Sequence, residues 1–440
     1  MKMIRAKYLI PEPERCIENG AVAVEDARIH RVGTFDEIKT LPDVDAIIDL
    51  GNAVILPGLI NIHTHLDLTH LHNRIKPTSN FTHWVFQLLG ARIRWKEADY
   101  TASIEKGIRC SVEAGTTTVA DIANTEYSFS VLRKSPLRKV VFKEVIDLNP
   151  DHAEDVLAKA QSELAGFGYD GAVPVGINDP PVSPGKPGDD AGEICGRHDL
   201  FCVGLSPHAP YSVSKELYRL VAQFARQKGL PLCTHIAETR DEIEFLTKGA
   251  GNFPTFLRQL RAMPPDWQPP GLTPIHYLKE TGILENHPLL IHCNYITDAE
   301  ISLIRSSGAS VAFCPRSHRF FGHTNHPLPR LLGCGVNVGL GTDSLASNDT
   351  LSILDEMKFL FLHDAISPKT LISMATINGA KALGWELRVG RIREGFEADL
   401  CGIRLPDGDT RGVYGQLFDA GSKNIFTMIS GVVCYQASSP

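Results

Sequence analysis

Residues 56–65 read LPGLINIHTH. The Pro57-Gly58 pair opens a short, mostly apolar run, and the run ends in two histidines, His63 and His65. A continuous apolar run of this length, bounded by turn residues, suits a parallel strand buried on both faces. Seven more runs of this kind follow: GTTTVADI (115–122), KVVFKEVI (139–146), LFCVGLSPH (200–208), LPLCTHIAE (230–238), PLLIHCNYI (288–296), ASVAFCPRS (309–317) and VNVGLGTDS (336–344). Most are followed by a stretch with helical, amphipathic spacing. Eight strands alternating with helices predict an α/β chain folded as a (β/α)₈ TIM barrel. The competing architecture, an open doubly wound sheet, would carry a Gly-rich phosphate turn, and the sequence has none.

Outward from this middle the texture changes. MIRAKYLI (3–10) and GAVAVEDARIHRVG (20–33) alternate apolar and polar residues, as do RVGRIREGFEADLCGIRL (388–405) and FTMISGVVCYQ (426–436). Period-two alternation with Gly and Asn turns reads as antiparallel strands. The expectation is a small β-sandwich built from both termini, residues 1–57 and 386–440, around a barrel at 58–385. Residues 176–199 are rich in Pro and Gly and read as a long surface insertion before the fourth strand.

The chain has 440 residues, 43% of them hydrophobic and 22% charged, the balance of a folded soluble protein with a core large enough to need no disulfides. The formal net charge is -7, without a basic run, which argues against a nucleic-acid partner. No apolar stretch is long enough to span a bilayer, and the N-terminus lacks the apolar core of a signal peptide. The ten cysteines form no C-x-x-C pair and read as reduced, largely buried thiols. The cytoplasm is the expected compartment.

The chemistry lies at the strand ends. His63 and His65 end the first strand, His208 the fourth, His235 and Glu238 the fifth, His292 the sixth and Asp343 the eighth. A barrel presents all these ends on one face. Residues two apart on a strand project from the same side, so His63 and His65 can grip one ion, with His235 and Asp343 completing its ligands. Imidazole and carboxylate donors suit one divalent ion, zinc first, iron or manganese as alternatives. Such an ion lowers the pKa of water toward neutrality. Glu238 is then placed to shuttle protons, His292 to orient the attacking water, and Asp343 to take a proton as well as bind. Read alone, Glu238 also fits a helix start, and His292 a satisfied core histidine. Trp84 and Phe81 offer aromatic faces for a ring, or simply core. Arg92 and Arg94 suit a solvated helix face better than a carboxylate pocket. Arg316, Ser317 and His318, in the loop CPRSHRFFGH (314–323), are candidates to line the substrate pocket.

Together PGLINIHTH, HIAE (235–238), the IHCNY histidine and GTDS (341–344) resemble the amidohydrolase superfamily, and within it the nucleobase-deaminase and chlorohydrolase branch. The similarity covers nearly the whole chain. GRIREGFEADL (390–400) resembles that branch's return from barrel to sandwich. SPHAPYSVS (206–214) resembles a substrate-side motif of adenosine-type deaminases, and SLASN (344–348) also fits. HTHLDL with FTHWVFQLLGAR is similar to aminodeoxyfutalosine deaminases, with Asp67 where those read Glu. The resemblance implies a mononuclear site on His63, His65, His235 and Asp343, Glu238 as general acid/base, His292 near the water and His208 in the substrate pocket. Two-metal members bridge their ions with a carboxylated lysine on the fourth strand; here that strand ends in His208, and Lys143 sits on the third. The implied activity is hydrolytic deamination of a purine-like nucleoside or nucleobase, with a small-molecule substrate and a homo-oligomeric assembly. The alternatives are a chlorohydrolase, a cyclic amide hydrolase, or a non-catalytic scaffold, which would be expected to have lost ligands that this chain retains.

Overall fold

A computed structural model describes residues 1–167, 200–408 and 411–438. The insertion read at 176–199 lies outside the described residues. The described residues form sixteen strands: β1 (Lys2–Glu12), β2 (Arg15–Glu25), β3 (Arg28–Thr34), β4 (Ala46–Asp49), β5 (Ala53–Pro57), β6 (Leu59–Thr64), β7 (Thr116–Ala123), β8 (Arg138–Val145), β9 (Phe201–Pro207), β10 (Cys233–Ile236), β11 (Leu289–His292), β12 (Ser310–Phe313), β13 (Asn337–Leu340), β14 (Leu400–Arg404), β15 (Lys423–Ile429) and β16 (Val432–Gln436).

The eight predicted apolar runs are β6 to β13. They form two four-stranded parallel sheets, β6-β7-β8-β9 and β10-β11-β12-β13. At each seam a single parallel bridge joins them, Leu205 with Leu232 and Thr64 with Asp343. Backbone bonds reinforce both seams: Leu205 N donates to Pro231 O (3.1 Å), His235 N to His208 O (2.8 Å) and Thr342 N to His63 O (3.0 Å). Side chains alternate. Ile60, Ile62, Ile122, Phe142, Ile291 and Ala312 enter one cluster shared by both sheets, whereas Leu59, Val119, Val141, Leu205 and Val338 pack outward among the helices. Burial on both faces is why these strands read as continuous apolar runs.

The termini meet in one eight-stranded sheet, ordered β16-β15-β14-β5-β1-β2-β3 with β4 added to β1. Apart from the parallel pairings of β1 with β4 and β5, its contacts are antiparallel. Its alternation has two destinations at the β1–β2 end. Ile4, Ala6, Val22 and Val24 join Phe426 and Met428 on one face, while Met3, Ala21 and Ala23 meet Ile38 on the other. That Ile38 belongs to a short helix, Phe35–Ile38, started by Thr34 and Glu37 in a reciprocal capping box. The nine described cysteines are all free, and no helix among the described residues is long and apolar enough to cross a membrane.

Candidate metal centre and active site

His63, His65, His208, His235, Glu238, His292 and Asp343 all sit at or just past the C-terminal end of a parallel strand. The turns there are sharp. Ala237, His292, Cys293 and Asp343 all have positive φ, from 50° to 74°, a left-handed backbone that is uncommon without glycine. Such strain concentrates where the surroundings hold side chains for function. Asn61 ties the first end to the eighth: its Oδ1 accepts from His63 N (3.3 Å) and Thr342 N (3.2 Å), and its Nδ2 donates to Thr342 Oγ1 (2.7 Å).

Three imidazoles converge. Ring centres lie 4.9 Å apart for His63–His65, 5.0 Å for His63–His235 and 5.5 Å for His65–His235. One ring nitrogen from each falls within 4.8 Å of the others. Asp343 Oδ1 stands 3.5 Å from His63 Nε2 and 3.8 Å from His65 Nε2. His63 is fully buried, and neither of its ring nitrogens has a hydrogen-bond partner. A buried polar atom without a partner is costly, so this one asks for a ligand. Burial, then the neighbouring His63, pushes His65 down to about 3; burial also drives His235 far below its usual range. Neutral imidazoles offer lone pairs. Burial pushes the Asp343 carboxyl up, but His63 and the surrounding imidazoles outweigh it and hold it well below the usual range. Three imidazoles and one carboxylate, with an orphaned ligand atom among them, fit a divalent metal ion. The far oxygen of Asp343 is already committed, accepting from Ser317 Oγ (2.7 Å) and Ser347 Oγ (2.8 Å).

Glu238 and His292 stand beside this cluster, with Oε1 and Nε2 3.5 Å apart. Both are buried. Burial, with the charges of Asp343 and Glu242 added, raises the Glu238 carboxyl well above its usual range, which suits a group that must hold and release a proton. Glu242 braces the turn by accepting from Ala237 N (2.9 Å) and Glu238 N (3.0 Å), and Asn294 Nδ2 donates to Glu238 O (3.0 Å).

These groups form the floor of a 590 Å³ cavity. His65, His208, His235, Glu238, His292 and Asp343 line it, and Phe81, Trp84, Leu88, Leu148 and Phe256 supply apolar wall. Trp84 is fixed by its Nε1–H donating to Ala346 O (3.1 Å) and by stacking on Phe81 at 5.7 Å. His208 is half-buried, its Nδ1 2.6 Å from Ser212 Oγ. Arg316 and Ser317 are not brought to the cavity. They lie in a helix, Pro315–Phe320, where Arg316 pairs with Asp349 and Ser317 turns to the back of Asp343. Lys143 points away as well, paired with Glu163 at 2.6 Å. Arg92, by contrast, lines the cavity, while Arg94 is exposed.

Residues that the sequence did not single out also line the cavity. Glu144, from β8, and Asn124, just past β7, meet through a 2.6 Å hydrogen bond from Asn124 Nδ2 to Glu144 Oε2. Their positions at strand ends were the available signal. Asp67, which the sequence marked only as standing where aminodeoxyfutalosine deaminases read Glu, lines it too, buried, with both carboxylate oxygens unpartnered, and burial pushes its carboxyl to about 7.

A protein-family model described as amidohydrolase family matches residues 54–433. The chain belongs to this family. Among its relatives, an aminodeoxyfutalosine deaminase of Deinococcus radiodurans is 29% identical over 87% of this chain and 86% of its own. A 5-methylthioadenosine/S-adenosylhomocysteine deaminase of Pyrococcus furiosus is 28% identical over 92% and 86%. Among solved structures, an adenosine deaminase from Xanthomonas campestris with bound zinc superposes at a TM-score of 0.81, with 23% identity over 99% of this chain and 93% of that one. At that identity the likeness speaks to the amidohydrolase fold.

Proposed function

We propose that this amidohydrolase is a zinc-dependent deaminase of a purine-like nucleoside or nucleobase. The observation that carries the reading is the joint placement of His63, His65, His235 and Asp343 with the buried Glu238–His292 pair at one end of one cavity. The names of its relatives, which are nucleoside deaminases, point the same way. In this reading the eight parallel strands close into a single (β/α)₈ barrel spanning 58–385, and 1–57 with 386–440 form a sandwich beside it.

His63, His65, His235 and Asp343 would hold the ion, which supplies Lewis acidity and brings the pKa of water toward neutrality. Glu238 takes a proton from the attacking water and delivers it to the ring nitrogen beside the reacting carbon. Water's oxygen adds to that carbon, the carbon–nitrogen bond breaks, and ammonia leaves with the remaining proton. His292, 3.5 Å from Glu238, orients the water. His208 and Trp84 hold the ring from the cavity side, and the apolar wall keeps bulk water out.

The test is elemental analysis of the purified protein together with an ammonia-release screen. The screen covers adenosine, 5-methylthioadenosine, S-adenosylhomocysteine, aminodeoxyfutalosine and the free bases adenine, guanine and cytosine. One equivalent of divalent metal per chain and ammonia from at least one aminopurine compound are expected. Metal-free protein, or no ammonia from any aminopurine compound, would sink the reading.

A further inference from the structure

His235 belongs to two clusters, not one. Besides its place with His63 and His65, it forms a second group with Glu144 and His208 whose ligand atoms also lie within 4.8 Å of one another. Glu144 Oε1 faces His208 Nε2 at 3.9 Å. Ion–ligand distances of ~2.0–2.2 Å let two ligand atoms stand up to about twice that apart, so one ion reaches both with little movement. Carboxylate and imidazole are both common zinc donors.

Each member is braced on its far side. Asn124 holds Glu144 Oε2 at 2.6 Å, Ser212 Oγ meets His208 Nδ1 at 2.6 Å, and the His208 carbonyl meets His235 Nδ1 at 3.2 Å. The near atoms, Oε1 and Nε2, are left without a hydrogen bond to each other and point across a gap. Outer partners of this kind orient metal-binding side chains. Glu144 and His208 both line the cavity, so an ion has a path to them from solvent. With Nδ1 of His235 turned to a carbonyl, a single ring nitrogen remains, and it stays with the resident ion, so a second ion beside it rests on Glu144 and His208 with water filling its other positions.

We propose that Glu144 and His208, beside His235, form a second and weaker divalent-cation site, and that zinc entering it inhibits the enzyme by covering the wall that receives substrate. This rests on the proposed first site, whose ion keeps His235. The resident ion, on His63, His65 and Asp343 as well, keeps more ligands and binds more tightly.

The test is a zinc titration of the chelated, full-length protein by equilibrium dialysis with elemental analysis, alongside turnover at the same free zinc. Wild type is expected to bind one tight equivalent and then a second at least about tenfold weaker, with turnover falling as the second binds. Glu144→Gln is expected to keep the tight equivalent and to weaken the second at least about tenfold. Asn124→Ala, which leaves the carboxylate but removes its brace, should weaken the second alone; it decides the matter if Glu144→Gln loses the tight equivalent through misfolding. A wild type that never takes a second equivalent overturns the proposal, and so does a second equivalent unchanged in both variants. A wild type without the tight equivalent would instead overturn the function proposed above.

Discussion

Two buried charge clusters in this molecule differ in one respect. At the start of β8, Arg138 is 1% exposed and fully engaged: its guanidinium meets Asp399 at 3.0 and 3.4 Å, Ser430 at 3.2 Å and Glu397 at 3.5 Å. Glu397 is held in turn by Arg388 at 3.1 Å. At the opposite ends of the same strands, the buried groups are left open. His63 has two orphaned ring nitrogens and Asp67 two orphaned oxygens, and Glu238 and His292 approach each other only to 3.5 Å. Burial of charge is costly in both places. In the first the chain itself offsets the cost, pinning the parallel strands to the segment entering β14 and the β15–β16 turn. In the second the cost stands until something from outside arrives. Around Arg138 satisfied burial makes a structural joint, whereas around His63 and Asp67 unsatisfied burial coincides with the cavity and its histidines.

The largest expected effect tests the open cluster. Glu238→Gln keeps the shape of the side chain and removes its proton-carrying capacity. Turnover should fall by ~10²–10⁴-fold while the metal content of the purified variant stays at wild-type level. Ammonia release and elemental analysis on one preparation check both halves. Near-normal turnover would remove Glu238 from the chemistry.

The joint should respond in the opposite way. Arg138→Met keeps most of the buried length and leaves Asp399 and Glu397 without their cation. Breaking a buried pair from one side costs about 3–5 kcal/mol, so chemical denaturation should show a loss of that order. Turnover per folded molecule should hold, because Arg138 lies at the far end of β8 from Glu144. A variant of normal stability with failed catalysis would erase the distinction between the two clusters.

The strands were legible because their burial is two-sided: β6 to β13 each coincide with one of the apolar runs, β7 and β8 reaching one residue beyond theirs. The terminal strands were legible for the reverse reason, since their alternation reports a face. His63, His65, His235 and Asp343 stood out because a polar side chain that closes a buried apolar run is costly unless something binds it. Glu144 did not, since it sits inside KVVFKEVI between Lys143 and Val145 and looks like one more alternation. Whether it faces the cavity or, like Lys143, the outer helix depends on the strand's tilt, which spacing does not carry. Arg92 closes the helix Phe81–Arg92 and Arg94 follows two residues later, and only the packing of that helix over the cavity separates them. For the loop after β12, sequence placed Arg316 and Ser317 near the site but could not tell the front of Asp343 from its back.

That last ambiguity supplies the finest test. Ser317 Oγ donates to Asp343 Oδ2 at 2.7 Å, and Ser347 Oγ does so at 2.8 Å, leaving Oδ1 toward the histidines. Ser317 is buried and lies outside the lining of the cavity among the described residues. Its hydroxyl therefore acts through Asp343 and aims the carboxylate. Ser317→Ala removes one of two donors, and loss of such an outer partner weakens metal affinity by ~10–100-fold, about 1.4–2.7 kcal/mol. Competition with a chelator should show the weaker site, and turnover should return to near wild type once excess zinc is supplied below its inhibitory range, with KM unchanged. A raised KM at saturating metal would instead put Ser317 against the substrate, on the front of the site after all. The small size of this effect is what makes it sharp, because only a residue behind a ligand loses affinity for metal while keeping its affinity for substrate.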